Sequence, residues 1–132
     1  MSTYLSKDAI LSAQDIKREE VQVPEWGGAV LVQGLTGTER DAFEGSMIEG
    51  KGKNAAVNLR NLRAKLVARS IVDEEGKRIF ADADIAALSA KSAAALDRVF
   101  TVAQRLSGIS QEDVEELTKN SETAQSEGSG SS

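Results

Sequence analysis

Catalytic chemistry has little to work with in this chain. Of 132 residues none is histidine or cysteine, which removes imidazole bases, thiolate nucleophiles and soft-metal sites together. Carboxylate, hydroxyl and ammonium groups remain, and the densest carboxylate run is Asp73-Glu74-Glu75. A calcium loop of the EF-hand type needs oxygen donors at fixed alternating positions and a closing glutamate. Arg78, Ile79 and Phe80 spoil that pattern, so the acidic trio reads as part of a turn. No pair among the Asp, Glu, Ser and Lys residues stands in a motif that implies convergence on a substrate. Gly27, Gly28, Gly34 and Gly37 lack the strand, spacing and helix of a dinucleotide or phosphate loop. The sequence therefore predicts no catalytic residue, no cofactor and no metal ligand.

Charge offers a second kind of chemistry. The net charge of -5 divides into about -5 over residues 1–50, +5 over 51–109 and -5 over 110–132. Lys51, Lys53, Arg60, Arg63, Lys65 and Arg69 follow one another with no acid between them, a candidate polyanion footprint. A small nucleic-acid-binding protein using a basic helix over 51–69 is thus the alternative reading. Against it, the charges flank an apolar stripe at helical spacing, no aromatic is interleaved for base stacking, and the acidic ends would repel a phosphate backbone. The lack of cysteine permits a reducing compartment. The first thirty residues do not resemble a signal peptide, and no apolar run approaches the roughly 20 residues that span a bilayer. The chain reads as soluble and intracellular.

The elements that would position these groups follow from pattern. Ser6 caps a short helix over Lys7–Ala13 carrying Ile10 and Leu11, too short to persist without tertiary contacts. Two strands, Glu20–Val23 and Ala29–Gln33, flank Pro24-Glu25-Trp26-Gly27-Gly28, which is hairpin punctuation with a large apolar side chain at its tip. Thr36 and Glu39 form a capping box that opens a helix over Thr38–Ile48, with Phe43 and Met47 on its apolar stripe. Gly50 to Asn54 reads as a loop. Leu59, Leu62, Leu66 and Val67 predict a core-facing helix over Ala55–Ile71, and Val72–Phe80 a second short hairpin or bridge pair. Asp82 is expected to cap a helix over Ala83–Leu88. Ser89 or Ser92 opens a longer one to Leu106, closed by Gly108. Ser110 and Asp113 restart a helix to about Lys119. Residues 1–119 thus form one domain of α+β class, mainly α-helical, with an N-terminal β-hairpin packed on a small helical domain and a second hairpin near residues 71–80. Residues 120–132, without a large apolar side chain, are expected to be a disordered acidic Gly/Ser-rich tail.

The order of several segments resembles one family. Asp15-Ile16-Lys17, Val23-Pro24-Glu25-Trp26-Gly27-Gly28, and Leu35-Thr36-Gly37-Thr38-Glu39-Arg40-Asp41 look like the tail assembly chaperones of long-tailed bacteriophages and prophages. So do Leu66-Val67-Ala68-Arg69-Ser70-Ile71-Val72-Asp73, Gly76-Lys77-Arg78-Ile79-Phe80, the run Ala93 to Phe100, and Arg105-Leu106-Ser107-Gly108. The resemblance covers roughly 110 residues, by order rather than by any one diagnostic motif. It implies a non-enzymatic role in tail morphogenesis: binding the long helical tape-measure protein, keeping it soluble and helping to recruit tail tube subunits. It also implies residence in the host bacterial cytoplasm and absence from the finished virion. No catalytic residue is known for the family. Self-association is a further partner expectation, and a membrane is not. Trp26, Phe43, Met47 and Phe100 are the candidate partner-binding residues, with Phe100 favoured as core because it lies on a full helical stripe, and Trp26, at a turn tip beside two glycines, evenly balanced between core packing and partner contact.

Overall fold

The structure, a computed structural model, describes residues 3–49, 56–57, 61–110 and 112–113. Its first element, α1 (Lys7–Ser12), is capped by the Ser6 hydroxyl, which accepts from the Ala9 amide. Then come β1 (Arg18–Val23), a single 3-10 turn over Pro24–Trp26, and β2 (Gly28–Gln33). Proline suits the first position of that turn because its missing N–H would have no partner there. Gly27 leaves it at φ +78°, a conformation that glycine adopts without strain. The strands pair antiparallel from Arg18 opposite Gln33 to Val23 opposite Gly28. Alternation buries Val21, Val23 and Val32 and leaves Glu20 and Gln22 exposed.

The capping box forms as predicted: the Thr36 hydroxyl accepts from the Glu39 amide at 3.1 Å, and the Glu39 carboxylate accepts from the Thr36 amide at 2.8 Å. It opens α2 (Gly37–Gly45), which is shorter than the expected Thr38–Ile48. Met47 lies beyond its end, and Ile48 begins β3 (Ile48–Glu49), which pairs with β4 (Ala56–Val57). The predicted helix over Ala55–Ile71 is corrected accordingly. α3 spans Leu62–Ser70, preceded by Asn61 in the left-handed region at φ +60°. Asparagine tolerates that conformation better than most residues, and a strand at Ala56–Val57 is incompatible with continuous helix. Leu62, Leu66 and Val67 face the core as the periodicity required, whereas Leu59 lies outside the described residues, as do Gly50 to Asn54 and the tail over 120–132.

Helix α3 runs directly into β5 (Ile71–Val72), which pairs antiparallel with β2 and completes a sheet in the order β1-β2-β5. An isolated bridge between Val72 and Arg78 closes the expected second turn, with Gly76 at φ +86°. A 3-10 turn over Asp82–Asp84 leads into α4 (Ile85–Ser89). Asp82 is not its cap: the Asp84 carboxylate accepts from the Ala81 amide at 2.8 Å, while Asp82 accepts from Arg78 at 3.1 Å. Finally α5 (Ala93–Leu106) starts at Ser92, whose hydroxyl accepts from the Ala95 amide. It ends in a Schellman arrangement, Ile109 N–H to Gln104 C=O and Gly108 N–H to Arg105 C=O, with Gly108 at φ +71°. Ser110 and Asp113 cap each other reciprocally just beyond it.

The architecture is α+β and mainly helical, with the three-stranded sheet covered on one face by helices. Val23 and Val32 from the sheet, Phe43 and Met47 from the α2 region, Leu66 and Val67 from α3, Leu88 from α4, and Leu96, Val99 and Phe100 from α5 form one apolar cluster. Burying each such side chain contributes about 1.5–3 kcal/mol relative to exposure.

Candidate functional site

At the end of the sheet where β1 turns into β2, the Pro24–Trp26 turn meets α4 and the chain just before it. There Trp26, Phe80, Ala87 and Leu88 line an open cleft of about 620 Å³, with Ile79 beside it and Glu25, Asp84 and Lys91 among its polar residues. Local chemistry explains the position of each part. Gly27 lets the hairpin turn tightly enough to hold Trp26 against the core cluster rather than out into water. The Val72–Arg78 bridge and the contact of Arg78 with the Ala68 carbonyl at 3.2 Å anchor the segment carrying Ile79 and Phe80. Leu88 is the buried residue of α4.

Glu25 fastens the turn to α5, both of its carboxylate oxygens accepting from Arg98 Nε at 3.1 and 3.2 Å. A backbone amide at the turn lowers its pKa most, and the Arg98 hydrogen bond and charge add to that effect, so Glu25 is a fixed anion at neutral pH. Trp26 is half-buried, and its Nε1 donor is buried without an acceptor among the described residues. Such a group costs roughly 1–3 kcal/mol. Ile79, by contrast, is 53% exposed, so an apolar wall of the cleft stands in water.

The four residues predicted from sequence are not presented alike. Trp26 lines the cleft. Phe43, Met47 and Phe100 lie in the core cluster with 2%, 0% and 8% of their surface exposed, so a partner meets them only if the surrounding packing opens. Ile79, Phe80 and Leu88 complete the cleft and were not singled out from sequence. The signal for Ile79 and Phe80 was an apolar pair directly after a turn.

Three cations of the basic run, Arg63, Lys65 and Arg69, have partners within the protein. Arg63 pairs with Asp97 at 2.6 Å and lies over the Phe100 ring, 5.8 Å from its centroid. Lys65 donates to the Ser46 carbonyl at 2.9 Å, and the Arg69 side chain is only 10% exposed, with Asp82 at 3.8 Å. Arg69 is thus largely buried, while Arg63 pairs at the surface, 57% exposed, and Lys51, Lys53 and Arg60 lie outside the described residues. Among the described residues no group of three or more acidic side chains is arranged to hold a metal ion, and no helix is long and apolar enough to cross a membrane.

These features define a small α+β scaffold with an apolar cleft at one end of its sheet. The chain belongs to the phage tail assembly chaperone family: the model of that family matches residues 5–120. No curated protein and no solved structure matches it significantly.

Proposed function

We propose that the chain is a non-enzymatic chaperone that holds the tape-measure protein in soluble form and helps to bring tube subunits to it, working in the host cytoplasm and leaving before the virion is complete. The observation that carries this reading is the cleft at Trp26. A long helical partner has apolar stripes that aggregate when exposed, and an amphipathic helix laid in an apolar groove hides such a stripe through i, i+3 and i+4 side chains. The Trp26, Phe80 and Leu88 surface supplies the apolar contact, and Glu25, Asp84 and Lys91 keep its surroundings wet. An open cleft with a solvated wall suits a chaperone that must be displaced when the tube polymerises, because modest affinity releases on demand.

Co-expression with the tape-measure protein of the same genome, followed by affinity capture, tests the site. Ile79→Asp places a charge on an exposed side chain and should leave the melting temperature unchanged while reducing capture at least tenfold, given the cost of burying an unpaired charge. Trp26→Ala should reduce capture comparably, with some loss of stability because it packs on the core. Full capture by both variants removes the cleft from the interface.

A further inference from the structure

The wall that α4 gives to the cleft has a chemical order. Asp84, Ala87, Leu88 and Lys91 all line the cleft, and they stand at i, i+3, i+4 and i+7, the spacing of one helical face. The helix ends at Ser89, but the Ala90 amide donates to the Ala87 carbonyl at 3.2 Å and the Lys91 amide to the Leu88 carbonyl at 3.0 Å. These tighter bonds carry the turn on to Lys91 and align it with Leu88, because side chains three apart eclipse in such a turn. Along the chain the wall therefore runs acid, apolar, apolar, base, with about 10 Å of helix rise between its charged ends. Neither charge is neutralised by another among the described residues. Asp84 and Lys91 are both exposed and enter no ion pair there, and the one partner of the Asp84 carboxylate is the Ala81 amide at 2.8 Å. Glu25, the other charged residue at the cleft, is taken up by Arg98.

We infer that the cleft selects, from the helical tape-measure partner, a segment whose apolar pair is bracketed by one acidic and one basic residue seven positions apart. The inference rests on the proposed function for the partner and adds which part of that partner is recognised. Charge complementarity sets the ends: the partner's base lies against Asp84 and its acid against Lys91. The apolar pair between them, three and four positions along, meets Ala87 and Leu88 on one side and Trp26 and Phe80 on the other. The spacing reads the same in both directions, so the order of acid and base sets which way the helix lies and not whether it docks. With the acid first, it runs antiparallel to α4. A helix bracketed by two acids or two bases sets like charges together at one end, and such a clash separates one apolar stripe from the many others that a long helical protein carries.

Three synthetic peptides of about 20 residues, long enough to hold a helix, test this against the purified full chain. Each has two leucines at the inner positions, and they differ only in the outer pair: acid with base, two acids, or two bases. Trp26, the only tryptophan, reports docking by a blue shift of its emission. At low salt the mixed peptide should bind the wild type at least about fivefold tighter than either like-charged peptide, the scale of two exposed ion pairs. The preference should shrink in about 0.5 M salt. Lys91→Glu makes both ends of the wall acidic and leaves the Asp84 bond to the Ala81 amide alone, so it should move the preference to the two-base peptide and lower capture of the tape-measure protein. Asp84→Asn with Lys91→Gln keeps an acceptor for that amide and should bind all three peptides alike. Equal binding of the three by the wild type, binding of none, or undiminished capture by Lys91→Glu would each overturn the inference. The proposed function is judged separately, since it stands if Ile79→Asp still loses the tape-measure protein. A wild type that is dimeric by light scattering while Lys91→Glu is monomeric would give the wall to a second copy and overturn the inference as well.

Discussion

Gly34 is small for a reason that the sequence did not disclose. It follows β2 directly, and a Cβ at this position would lie 2.5 Å from the Leu106 carbonyl oxygen and 3.0 Å from its carbon, closer than real side chains come to backbone. The adjoining Leu35 amide donates to the Ser107 hydroxyl oxygen at 3.0 Å. The end of the hairpin is thus pressed onto the end of α5, backbone to backbone. Gly34→Ala should push the two apart and cost about 1–3 kcal/mol, the range for overpacking a tight site. Chemical denaturation would measure it, and a variant as stable as the wild type would show that α5 can move without penalty. Local chemistry of the kind at Thr36 and Glu39 was legible because both partners of the box are three residues apart. The Gly34 contact joins residues more than seventy positions apart, and sequence spacing carries no trace of it.

Among the elements, the turn after β5 depends on a single carboxylate. Asp73 Oδ1 accepts from the Glu75 amide at 2.8 Å and the Lys77 amide at 3.0 Å, and the Asp73 amide donates to the Lys77 carbonyl at 2.8 Å. Arg18 reaches over from β1 to donate to the Glu74 carbonyl at 3.0 Å. The Lys77 amide, then the Glu75 amide and the Lys77 charge, hold the Asp73 pKa below the ordinary 3.8. Because the folded value is the lower one, this contribution to stability is present above pH 3.8 and is lost as pH falls through the folded value. Carboxyl NMR titration should place the Asp73 midpoint below 3.8, and exchange of the Glu75 and Lys77 amides should quicken below that midpoint. A midpoint at or above 3.8 would contradict the hydrogen bonding described. The turn itself was legible from Asp73 and Gly76. The start of α3 was not: the stripe of Leu59, Leu62, Leu66 and Val67 satisfies helical periodicity across a break that Asn61 makes with one backbone angle. The cap of the 3-10 turn escaped for a similar reason, since Asp82 and Asp84 are equivalent to a sequence rule and only the neighbouring arginines draw Asp82 away.

At the scale of the whole molecule, fold class and core were readable because the valine alternation in the hairpin and the α5 stripe of Leu96, Val99, Phe100 and Ala103 are each set by a local period. The cleft was not, since Trp26 on one side and Ile79, Phe80 and Leu88 on the other meet only after the sheet and helices have packed. The acidic segment at the end of the chain gives the remaining prediction. Deleting residues 120–132 removes Glu122 and Glu127 and lowers the net charge from -5 to about -3, which should reduce solubility near neutral pH. Melting temperature should be unchanged, and so, under the proposed function, should capture of the tape-measure protein; loss of capture with the fold intact would place part of the interface in the tail. The sheet also bears on synthesis in the cell. β1 and β2 can pair as soon as they are made, but β5, which covers the other edge of β2, follows about forty residues later. At bacterial translation rates of about 5–20 residues per second that edge stays open for roughly 2–8 s on each nascent chain. During that interval an unfinished copy can pair with its neighbour on the same message, so the chain passes through an aggregation-prone moment on the ribosome before β5 covers that edge.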